Sequence, residues 1–375
     1  MTKVLLFLGN FGRGGVQSFV MTHIEKMNHD ELTFDVYSML GDSSPYEETI
    51  KKWGGRVYYG HDQYSPSKVF SLMRKWETFF TEGEYDVIHI HLNMVNAWVL
   101  LAAKRAGIPV RLSHSHSTEL ITGGIVQKLY SLLRRSIINH TATTCLSCGR
   151  DAGYALYGKR KAFTVINNGI EIERFVTNNE DAIRNLAKEY SIPRDKKIYA
   201  NVTRISYQKN QPFVVDVFAE ILKIEPESIL LLGGPLDDTD AFIWDEAKAK
   251  INEYGIQKNI IFLPSIQDMP SLYSLVDVWL SPSRWEGLPI ALIELQAASV
   301  PTVASDVITD ECDLGLGLVN FVSLSESPRK WADVATSAKP KSFTTGEILD
   351  VLKTKGFDVK TSAKKLENYY CSKAK

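Results

Sequence analysis

The sequence predicts two α/β domains, each built around a parallel sheet with helices on both faces. Three observations support this fold class. The chain has 375 residues, which suits two domains of ordinary size. Fully apolar runs of about four to six residues alternate with helical patterns, as expected for parallel strands that are buried on both faces. The alternation stops over the polar residues 176–197 and then starts again.

Each repeat of the first half is an apolar run followed by apolar residues at helical spacing. The first run, Val4–Leu8, is too short for the apolar region of a signal peptide and leads into Gly9, which indicates a buried strand before a turn. The other predicted elements of this half are strands at Phe34–Met39, Val87–Ile90, Pro109–Ser113 and Thr141–Leu146 and helices at Val16–Met27, Val69–Glu82, Asn96–Ala106 and Ile125–Ile138.

The second half repeats the pattern after the polar segment, in which Pro193 favours a hinge. Its predicted elements are strands at Ile198–Val202, Ile229–Leu232, Ile260–Leu263, Val276–Leu280 and Thr302–Ala304 and helices at Pro212–Lys223, Asp245–Glu253, Met269–Leu275, Pro289–Ala298 and Thr361–Tyr370. We expect domains at residues 1–178 and 196–356, a hinge at 179–195 and a terminal helix within 357–375. Two such doubly wound domains would face a central cleft, and ligands bind outside the carboxyl ends of their strands.

The composition excludes several classes of function. Lys and Arg number 43 against 44 Asp and Glu, which argues against a nucleic-acid-binding protein. Four cysteines are too few for a disulfide framework and indicate a reduced, cytoplasmic compartment. No apolar stretch reaches the roughly 18–20 residues of a membrane span, so any membrane contact is expected to be peripheral.

Glycines follow the first strand. Gly14 and Gly15 precede a helix that begins near Val16, where glycine lets a ligand approach the backbone and the helix N-terminus attracts anions. The spacing differs from the dinucleotide fingerprint G-x-G-x-x-G, which disfavours a nicotinamide dehydrogenase. A substrate-binding loop and a plain strand-to-helix turn both stay open.

Four of the eight histidines lie at the ends of two predicted strands, His89 and His91 on one and His114 and His116 after the next. Zinc is a candidate for such a cluster. No cysteine or carboxylate is placed to complete a site, however, and no metal is expected. Neutral imidazoles that hydrogen-bond a sugar or the backbone fit better, and a structural role is favoured for His89 and His91.

Arg204 and Lys209 follow the first strand of the second half. Two cations in one loop suit a diphosphate, because this group requires neutralisation of its charge. A solvated loop is the alternative for this motif taken alone.

The loop after Val276–Leu280 is the most informative. Pro289 suits the first position of a helix, and Gly287 and Leu288 would present backbone N–H groups at its positive end. Glu286 precedes this helix and Glu294 lies in its second turn. The spacing allows one carboxylate to hold a ribose and the other a hexose, with a diphosphate between them. The structural alternatives are a surface position for Glu294 and a helix-end interaction for Glu286.

Together these motifs resemble the retaining glycosyltransferases of family four, which have the GT-B fold. The resemblance rests on Gly14-Gly15-Val16-Gln17, His116, Val165-Ile-Asn-Asn-Gly169-Ile, Arg204 with Lys209, and Glu286-x7-Glu294 after Asp277-Val-Trp-Leu. It covers nearly the whole chain and is closest to bacterial enzymes of exopolysaccharide and capsule synthesis. It implies an acceptor-side first domain, a nucleotide-sugar-binding second domain and a terminal helix that packs back on the first domain.

The resemblance also implies residue roles. Arg204 and Lys209 would bind the donor diphosphate, Glu294 the ribose and Glu286 the transferred sugar. His116 would hydrogen-bond that sugar near the reacting centre, with His114 as a second candidate. The remaining donor-binding positions would be Gly14, Gly15, Gly233, Ser265, Ile266, Gly287, Leu288, Pro289 and Ile290.

The implied reaction is transfer of a hexose from a nucleotide-diphosphate sugar to a hydroxyl of a glycan or polyprenyl-linked acceptor, with a UDP-sugar favoured over a GDP-sugar. Arg204, Lys209 and a helix end would stabilise the departing diphosphate, so neither a metal nor another cofactor is required. A nucleotide-sugar epimerase of the same fold would need further acidic or basic groups for an elimination intermediate. A non-catalytic partner subunit should have lost a cation or a carboxylate from this set.

The predicted helix Ile125–Ile138 is basic and amphipathic. Such a helix can lie on an anionic leaflet. We hypothesise that Lys128, Arg134 and Arg135 dock this helix on the inner face of the cell membrane, where a polyprenyl-linked acceptor would be found. An ordinary domain helix with a solvated basic face fits equally well.

Overall fold

The computed structural model describes residues 1–12, 14–117, 124–176, 179–236 and 240–371, with residue 176 described by its backbone alone. The chain forms two compact units. The first consists of Met1–Ile170 with Gly356–Lys375, and the second of Glu171–Lys355. Each unit contains a parallel sheet with helices on both of its faces.

The sheet of the first unit has its seven strands in the order β3-β2-β1-β4-β5-β6-β7. The strands are β1 (Thr2–Asn10), β2 (Leu32–Leu40), β3 (Val57–Tyr59), β4 (Val87–Ile90), β5 (Val110–Ser115), β6 (Thr144–Ser147) and β7 (Thr164–Val165). The helices between them are α1 (Gly15–Ile24), α2 (Glu47–Lys52), α3 (Val69–Gly83), α4 (Asn96–Arg105), α5 (Ile125–Thr141) and α6 (Arg150–Tyr157).

The second unit has a six-stranded sheet in the order β10-β9-β8-β11-β12-β13. Its strands are β8 (Ile198–Val202), β9 (Ile229–Gly233), β10 (Ile260–Leu263), β11 (Val278–Ser281), β12 (Thr302–Ser305) and β13 (Val319–Val322). Its helices are α7 (Glu173–Val176), α8 (Glu180–Glu189), α9 (Gln211–Leu222), α10 (Ala241–Tyr254), α11 (Met269–Tyr273), α12 (Ile290–Ala297), α13 (Pro328–Ser337) and α14 (Thr345–Lys355). The chain then returns to the first unit through α15 (Val359–Cys371).

Burial explains the apolar run of β1. Val4 to Leu8 of β1 are at most 1% exposed. Alternate residues of this strand enter different cores: Phe7 packs with Trp76 of α3, whereas Leu6 shares a core with Phe19 of α1 and Leu366 of α15. The terminal helix is therefore part of the hydrophobic core of the first unit.

The segment expected to be a hinge contains α8, and the boundary between the units falls between Ile170 and Glu171. The Asn179 side chain caps α8 by accepting a hydrogen bond from the backbone N–H of Ala182 at 3.1 Å. The helix buries Ile183 and Ala187, which are spaced by one turn. The sequence of this polar segment thus contains both a helix cap and a helical period of buried residues.

Candidate active site

Two of the predicted site residues form an ion pair at the carboxyl end of the second sheet. Strands β8 and β11 are parallel neighbours, so the loops that follow them emerge side by side. Lys209, after β8, places Nζ 2.5 Å from Oε1 of Glu286, after β11. Both side chains are largely buried, at 22% and 9% exposed. The sheet order thus joins a cation and a carboxylate that lie 77 positions apart in the sequence.

Gln208 adds a second connection between these loops. Its Nε2 donates to the backbone oxygen of Trp285 at 2.8 Å and to Oε2 of Glu286 at 3.2 Å. Both carboxylate oxygens of Glu286 therefore have fixed partners. Arg204, the other predicted phosphate ligand, is exposed and lies 3.4 Å from Oε1 of Gln208.

Arg284 and Asn210 hold the same two loops together, and sequence reasoning missed both. Asn210 adopts a left-handed conformation, with φ 61°, just before α9. Its Nδ2 donates to the Pro282 oxygen at 3.2 Å, and its Oδ1 accepts from Nη2 of Arg284 at 2.8 Å. The Arg284 guanidinium also lies 4.3 Å from the ring centroid of Tyr207. An asparagine before a helix was the available signal, because this residue type tolerates positive φ.

Glu294 projects from α12 into a half-buried environment. Its Oε2 accepts a hydrogen bond from the Tyr273 hydroxyl at 3.1 Å. Burial raises the pKa of Glu294, and the Tyr273 hydrogen bond and the positive charge of Arg174 partly offset that rise. The second predicted carboxylate is thus held by a phenol rather than by a lysine, and it is not on the solvated face of its helix.

The approach to α12 differs slightly from expectation. Pro289 is the residue that precedes the helix, with ψ 97°, and the helix begins at Ile290. A proline that starts a helix would have helical ψ, so this is a correction of one position. Gly287 and Leu288 are half-buried in the loop before it.

Gly233 permits close packing at the ends of three strands. It ends β9 with φ 155°, and a Cβ there would overlap the backbone oxygen of Leu263 in β10. Gly234 has φ 125°, and a Cβ there would overlap the oxygen of Thr203 after β8. Beyond β10, Ser265 is exposed and Ile266 is half-buried.

In the first unit, the loop after β1 leads into α1 through two glycines. Gly14 is extended, with φ 174°, and α1 begins at Gly15. A Cβ on Gly15 would meet no atom within 4 Å, so the start of this helix borders open space. Gln17 stabilises the loop by donating from Nε2 to the Asn10 oxygen at 2.5 Å.

The four histidines on and directly after β4 and β5 form one cluster. His89 Nε2 lies 3.1 Å from Nδ1 of His114, and His91 Nδ1 lies 2.8 Å from Nε2 of His116. His89, His91 and His114 each offer a ring nitrogen within 4.8 Å of the others, which is a spacing that a metal ion could use. His114 is fully buried, whereas His116 follows β5 and is partly exposed. Of the two candidates for the sugar contact, His116 is therefore the one that a ligand can reach.

Burial keeps these imidazoles neutral. It lowers the pKa of His116 to about 3 and that of His23, on α1, to about 4. Burial and repulsion from neighbouring imidazoles hold the pKa values of His89, His91 and His114 well below their usual range. A neutral histidine can donate or accept a hydrogen bond here, but it adds no charge.

Helix α5 presents a different surface from the one expected. Arg134 is buried, with its guanidinium 4.5 Å from the Tyr130 ring centroid. Arg135 donates to the backbone oxygens of Leu156 and Ala155, at 3.2 and 2.9 Å. Two of the three predicted docking residues are thus directed into the protein, and only Lys128 is exposed. The outer face is instead an apolar stripe of Ile125, Val126, Leu129, Leu132 and Leu133, each more than half exposed.

The chain is similar to known proteins in sequence and in structure. Residues 13–174 match the family model described as Glycosyltransferase Family 4, and residues 182–313 match Glycosyl transferases group 1. The chain is 32% identical to the putative glycosyltransferase EpsF of Bacillus subtilis, over 98% of this chain and 96% of that protein. It is 24% identical to the capsular polysaccharide biosynthesis glycosyltransferase CapH of Staphylococcus aureus, over 100% and 99%. The crystal structure of Anabaena HepE in complex with UDP and glucose superposes with a TM-score of 0.71 at 18% identity, over 98% and 95%.

The two parallel-sheet units define a protein of the GT-B fold. The chain belongs to glycosyltransferase family four, as its two family matches and its full-length similarity to EpsF show. The fold class and the family expected from the sequence are thereby confirmed. Among the described helices, none combines the length and the apolar character needed to cross a bilayer.

Proposed function

We propose that the protein is a retaining glycosyltransferase that transfers a hexose from a UDP-sugar to a hydroxyl of a glycan or lipid-linked glycan in cell-surface polysaccharide synthesis. The observation that carries this proposal is the Lys209–Glu286 pair at two adjacent strand ends of a family-four chain. The names of CapH, a capsule enzyme, and of HepE, crystallised with UDP and glucose, support the class of substrate.

The charges of this pair suit the bond that breaks. Cleavage of a sugar–diphosphate bond leaves an anionic diphosphate and a sugar with oxocarbenium character. Lys209, with Arg204 from the same loop, would stabilise the anion, and Glu286 would stabilise the sugar. Because protein cations supply the positive charge, the proposed reaction uses neither a metal ion nor another cofactor. The acceptor hydroxyl would attack from the face that the diphosphate leaves and would give its proton to the departing phosphate oxygen, so that the configuration is retained.

The other residues would bind the rest of the donor. Glu294, oriented by Tyr273, would accept hydrogen bonds from the ribose hydroxyls. Gly233 and the Ser265–Ile266 segment border the same edge of the second sheet and would contact the base. In the first unit, His116 would hydrogen-bond the transferred sugar, and the open start of α1 at Gly15 would approach the diphosphate.

A thermal-shift experiment tests donor binding. The melting temperature of the protein is measured with UDP, GDP and ADP and with their glucose conjugates, because a ligand that binds the folded state raises it. We expect a selective rise with UDP and UDP-sugars that Glu294→Ala abolishes. Glu326→Ala is the matched control, since Glu326 is an exposed carboxylate of the same unit. If none of the nucleotides raises the melting temperature, the proposed donor site is contradicted. It is also contradicted if Glu294→Ala shows the same rise as the wild type.

We further propose that the stripe on α5 contacts an anionic lipid surface, which would bring the enzyme to a lipid-linked acceptor. The stripe adjoins a groove of about 790 Å³ that Leu132 shares with the basic residues Arg135, Lys159, Arg160 and Lys161. An apolar stripe that borders a basic groove complements acyl chains and anionic head groups together.

Co-sedimentation with phosphatidylglycerol and phosphatidylcholine vesicles tests this contact. We expect binding to the anionic vesicles that Leu129→Asp removes. Phe262→Asp, at an exposed apolar position of the second unit, should leave binding unchanged. If the wild-type protein does not bind the vesicles but forms a dimer that Leu129→Asp dissociates, the stripe is a self-association surface and the lipid proposal is wrong.

A further inference from the structure

The histidine cluster of the first unit lies on one side of the sheet and ends at a tyrosine of the terminal helix. His89 lies on β4 and His91 follows it, and His114 lies on β5 and His116 follows it. The register pairs His89 with Leu112, so all four histidines are an even number of positions apart along the paired strands and their side chains share one face. Tyr370 of α15 is fully buried, and its Oη lies 2.7 Å from Nδ1 of His89. Five side chains therefore form a nearly continuous polar chain in an apolar environment.

Tyr370 fixes the direction of the first hydrogen bond. A phenol has one proton to donate, and among the described residues His89 is the hydrogen-bond partner of its hydroxyl. If His89 donated instead, the phenolic proton would be left unpaired inside the core, which is costly. Tyr370 therefore donates to Nδ1 of His89.

The proton positions of the next two rings follow. A neutral His89 that accepts at Nδ1 carries its proton on Nε2 and donates it to Nδ1 of His114, 3.1 Å away. His114, accepting at Nδ1, then carries its own proton on Nε2. Each of these two rings therefore accepts a hydrogen bond at Nδ1 and has a proton to donate at Nε2.

Two buried ring nitrogens of this cluster have no hydrogen-bond partner among the described residues: Nε2 of His114 and Nε2 of His91. The first is an N–H donor by the preceding argument. The two rings lie 5.4 Å apart between centroids. One water that accepts from one nitrogen and donates to the other joins atoms roughly 4.5–5 Å apart, and His91 and His114 each offer a ring nitrogen within 4.8 Å of the other. Such a bridge pairs both atoms if Nε2 of His91 is the bare acceptor.

We propose that Tyr370, His89, His114 and His91 act as positioning residues that fix His116 as the neutral tautomer with its proton on Nδ1. His91, bare at Nε2, carries its proton on Nδ1 and donates it to Nε2 of His116 at 2.8 Å. His116 therefore offers a ring N–H as a donor to its ligand. The functional consequence rests on the proposed contact between His116 and the transferred sugar, whereas the tautomers themselves do not.

A metal ion in the cluster would require the opposite arrangement. An ion bound by Nε2 of both His91 and His114 needs both atoms bare, which places the His114 proton on Nδ1. His89 would then have to accept at Nε2 and donate from Nδ1 to Tyr370. The tautomer of His89 consequently distinguishes a metal site from the relay, by which we mean the hydrogen-bonded series from Tyr370 to His116.

The test is NMR spectroscopy of the ligand-free protein labelled with ¹⁵N in its histidine rings, with and without a chelator and with added Zn²⁺. The nitrogen shifts show which ring atom carries the proton. We expect a proton on Nε2 in His89 and His114 and on Nδ1 in His91 and His116, unchanged by chelator or zinc. A proton on Nε2 of His116, or loss of the Nε2 proton of His114 on adding zinc, overturns the relay.

The matched pair Tyr370→Phe and Tyr369→Phe tests the direction of the chain. Both side chains lie on α15, but the Tyr369 hydroxyl bonds Oγ1 of Thr164 at 2.9 Å, outside the cluster. Tyr370→Phe should shift His116 to a mixture of tautomers, and Tyr369→Phe should leave it unchanged; equal spectra for the two variants overturn the proposal. If Tyr370→Phe does not fold, the wild-type tautomers still decide.

A binding experiment separates this inference from the proposed function. The ligands are the nucleotide and the sugar nucleotide that the thermal-shift screen selects. Tyr370→Phe should weaken the affinity for the sugar nucleotide about 2- to 10-fold, as expected for one hydrogen bond. The affinity for the nucleotide without the sugar should not change. If the wild type binds no nucleotide, the proposed function fails while the tautomers stand. If the tautomers hold but both affinities change together, the contact between His116 and the sugar is wrong.

Discussion

Acidification should unfold the first unit before the second, because all eight histidines of the chain lie in the first unit. Five of them, His23, His89, His91, His114 and His116, have folded-state pKa values far below the ordinary value of about 6.5, mainly because burial disfavours the charged ring. In the unfolded chain the same rings titrate near 6.5.

The sign of the effect follows from this difference. Below about pH 6.5 the unfolded chain binds protons that the folded unit excludes. The contribution of each buried ring is therefore complete above that pH and is lost as the pH falls toward the folded pKa. Between pH 7 and pH 5 each ring lowers the free energy of unfolding by about 2 kcal/mol, and five rings by about 9 kcal/mol. That loss is comparable to the whole stability of an ordinary domain.

Three buried cysteines provide the assay. Cys145 and Cys148 report on the first unit and Cys312 on the second. The protein is equilibrated in graded urea at pH 7.0, 6.0 and 5.5 and pulsed with a dipyridyl disulfide, which modifies thiols in weak acid, and labelled peptides are quantified by mass spectrometry. The urea midpoint for Cys145 should fall steeply with pH while that for Cys312 changes little. Midpoints that move in parallel, or not at all, would refute the assignment of neutral buried imidazoles.

Two substitutions and one control variant test buried contacts in the two units. Asp62 is 2% exposed and accepts from Tyr37 Oη at 2.8 Å and from Trp76 Nε1 at 2.7 Å, so Asp62→Ala should cost about 3 kcal/mol in urea unfolding; a cost below about 1 kcal/mol would show that water replaces the carboxylate. Gly233→Ala places a Cβ against backbone at φ 155° and should cost about 3 kcal/mol or abolish folding, whereas Gly255→Ala, at φ 65° with no atom within 4 Å of the new Cβ, should cost about 1 kcal/mol. Equal melting temperatures for the two glycine variants would contradict the proposed close approach.

The sequence predicts the strands well because a strand buried on both faces is apolar throughout, and this signal is local. The pairing of Lys209 with Glu286 is not local. It depends on β8 and β11 being neighbours, and the motifs alone do not state that order. Short edge strands such as β3 and β13 were missed, since strands of three or four residues at a sheet edge carry little periodic signal.

Helix α5 shows a different limit of sequence reasoning. Its period is helical, and the hydrophobic rule assigns the leucines to the core and the arginines to solvent. The structure does the reverse, because Arg134 stacks on Tyr130 and Arg135 satisfies the last carbonyls of α6, while Leu129 and Leu132 stay outside. An amphipathic pattern shows that a helix has an apolar face and a polar face. It does not show which of the two faces packs against the rest of the protein. The proposed lipid contact therefore rests on the exposed apolar stripe of this helix and not on its arginines.

The neutrality of the histidine cluster limits what His116 can contribute to the proposed transfer. With its pKa lowered to about 3, this ring is too weak a base to deprotonate an acceptor hydroxyl at neutral pH, and it is not in the imidazolium form that could act as a general acid. What remains is a hydrogen bond from a ring of fixed tautomer. Such a group adds no positive charge beside a sugar that becomes cationic, whereas a protonated histidine there would oppose the reaction. The burial that makes the first unit sensitive to acid is thus the same property that would make His116 a suitable neutral donor.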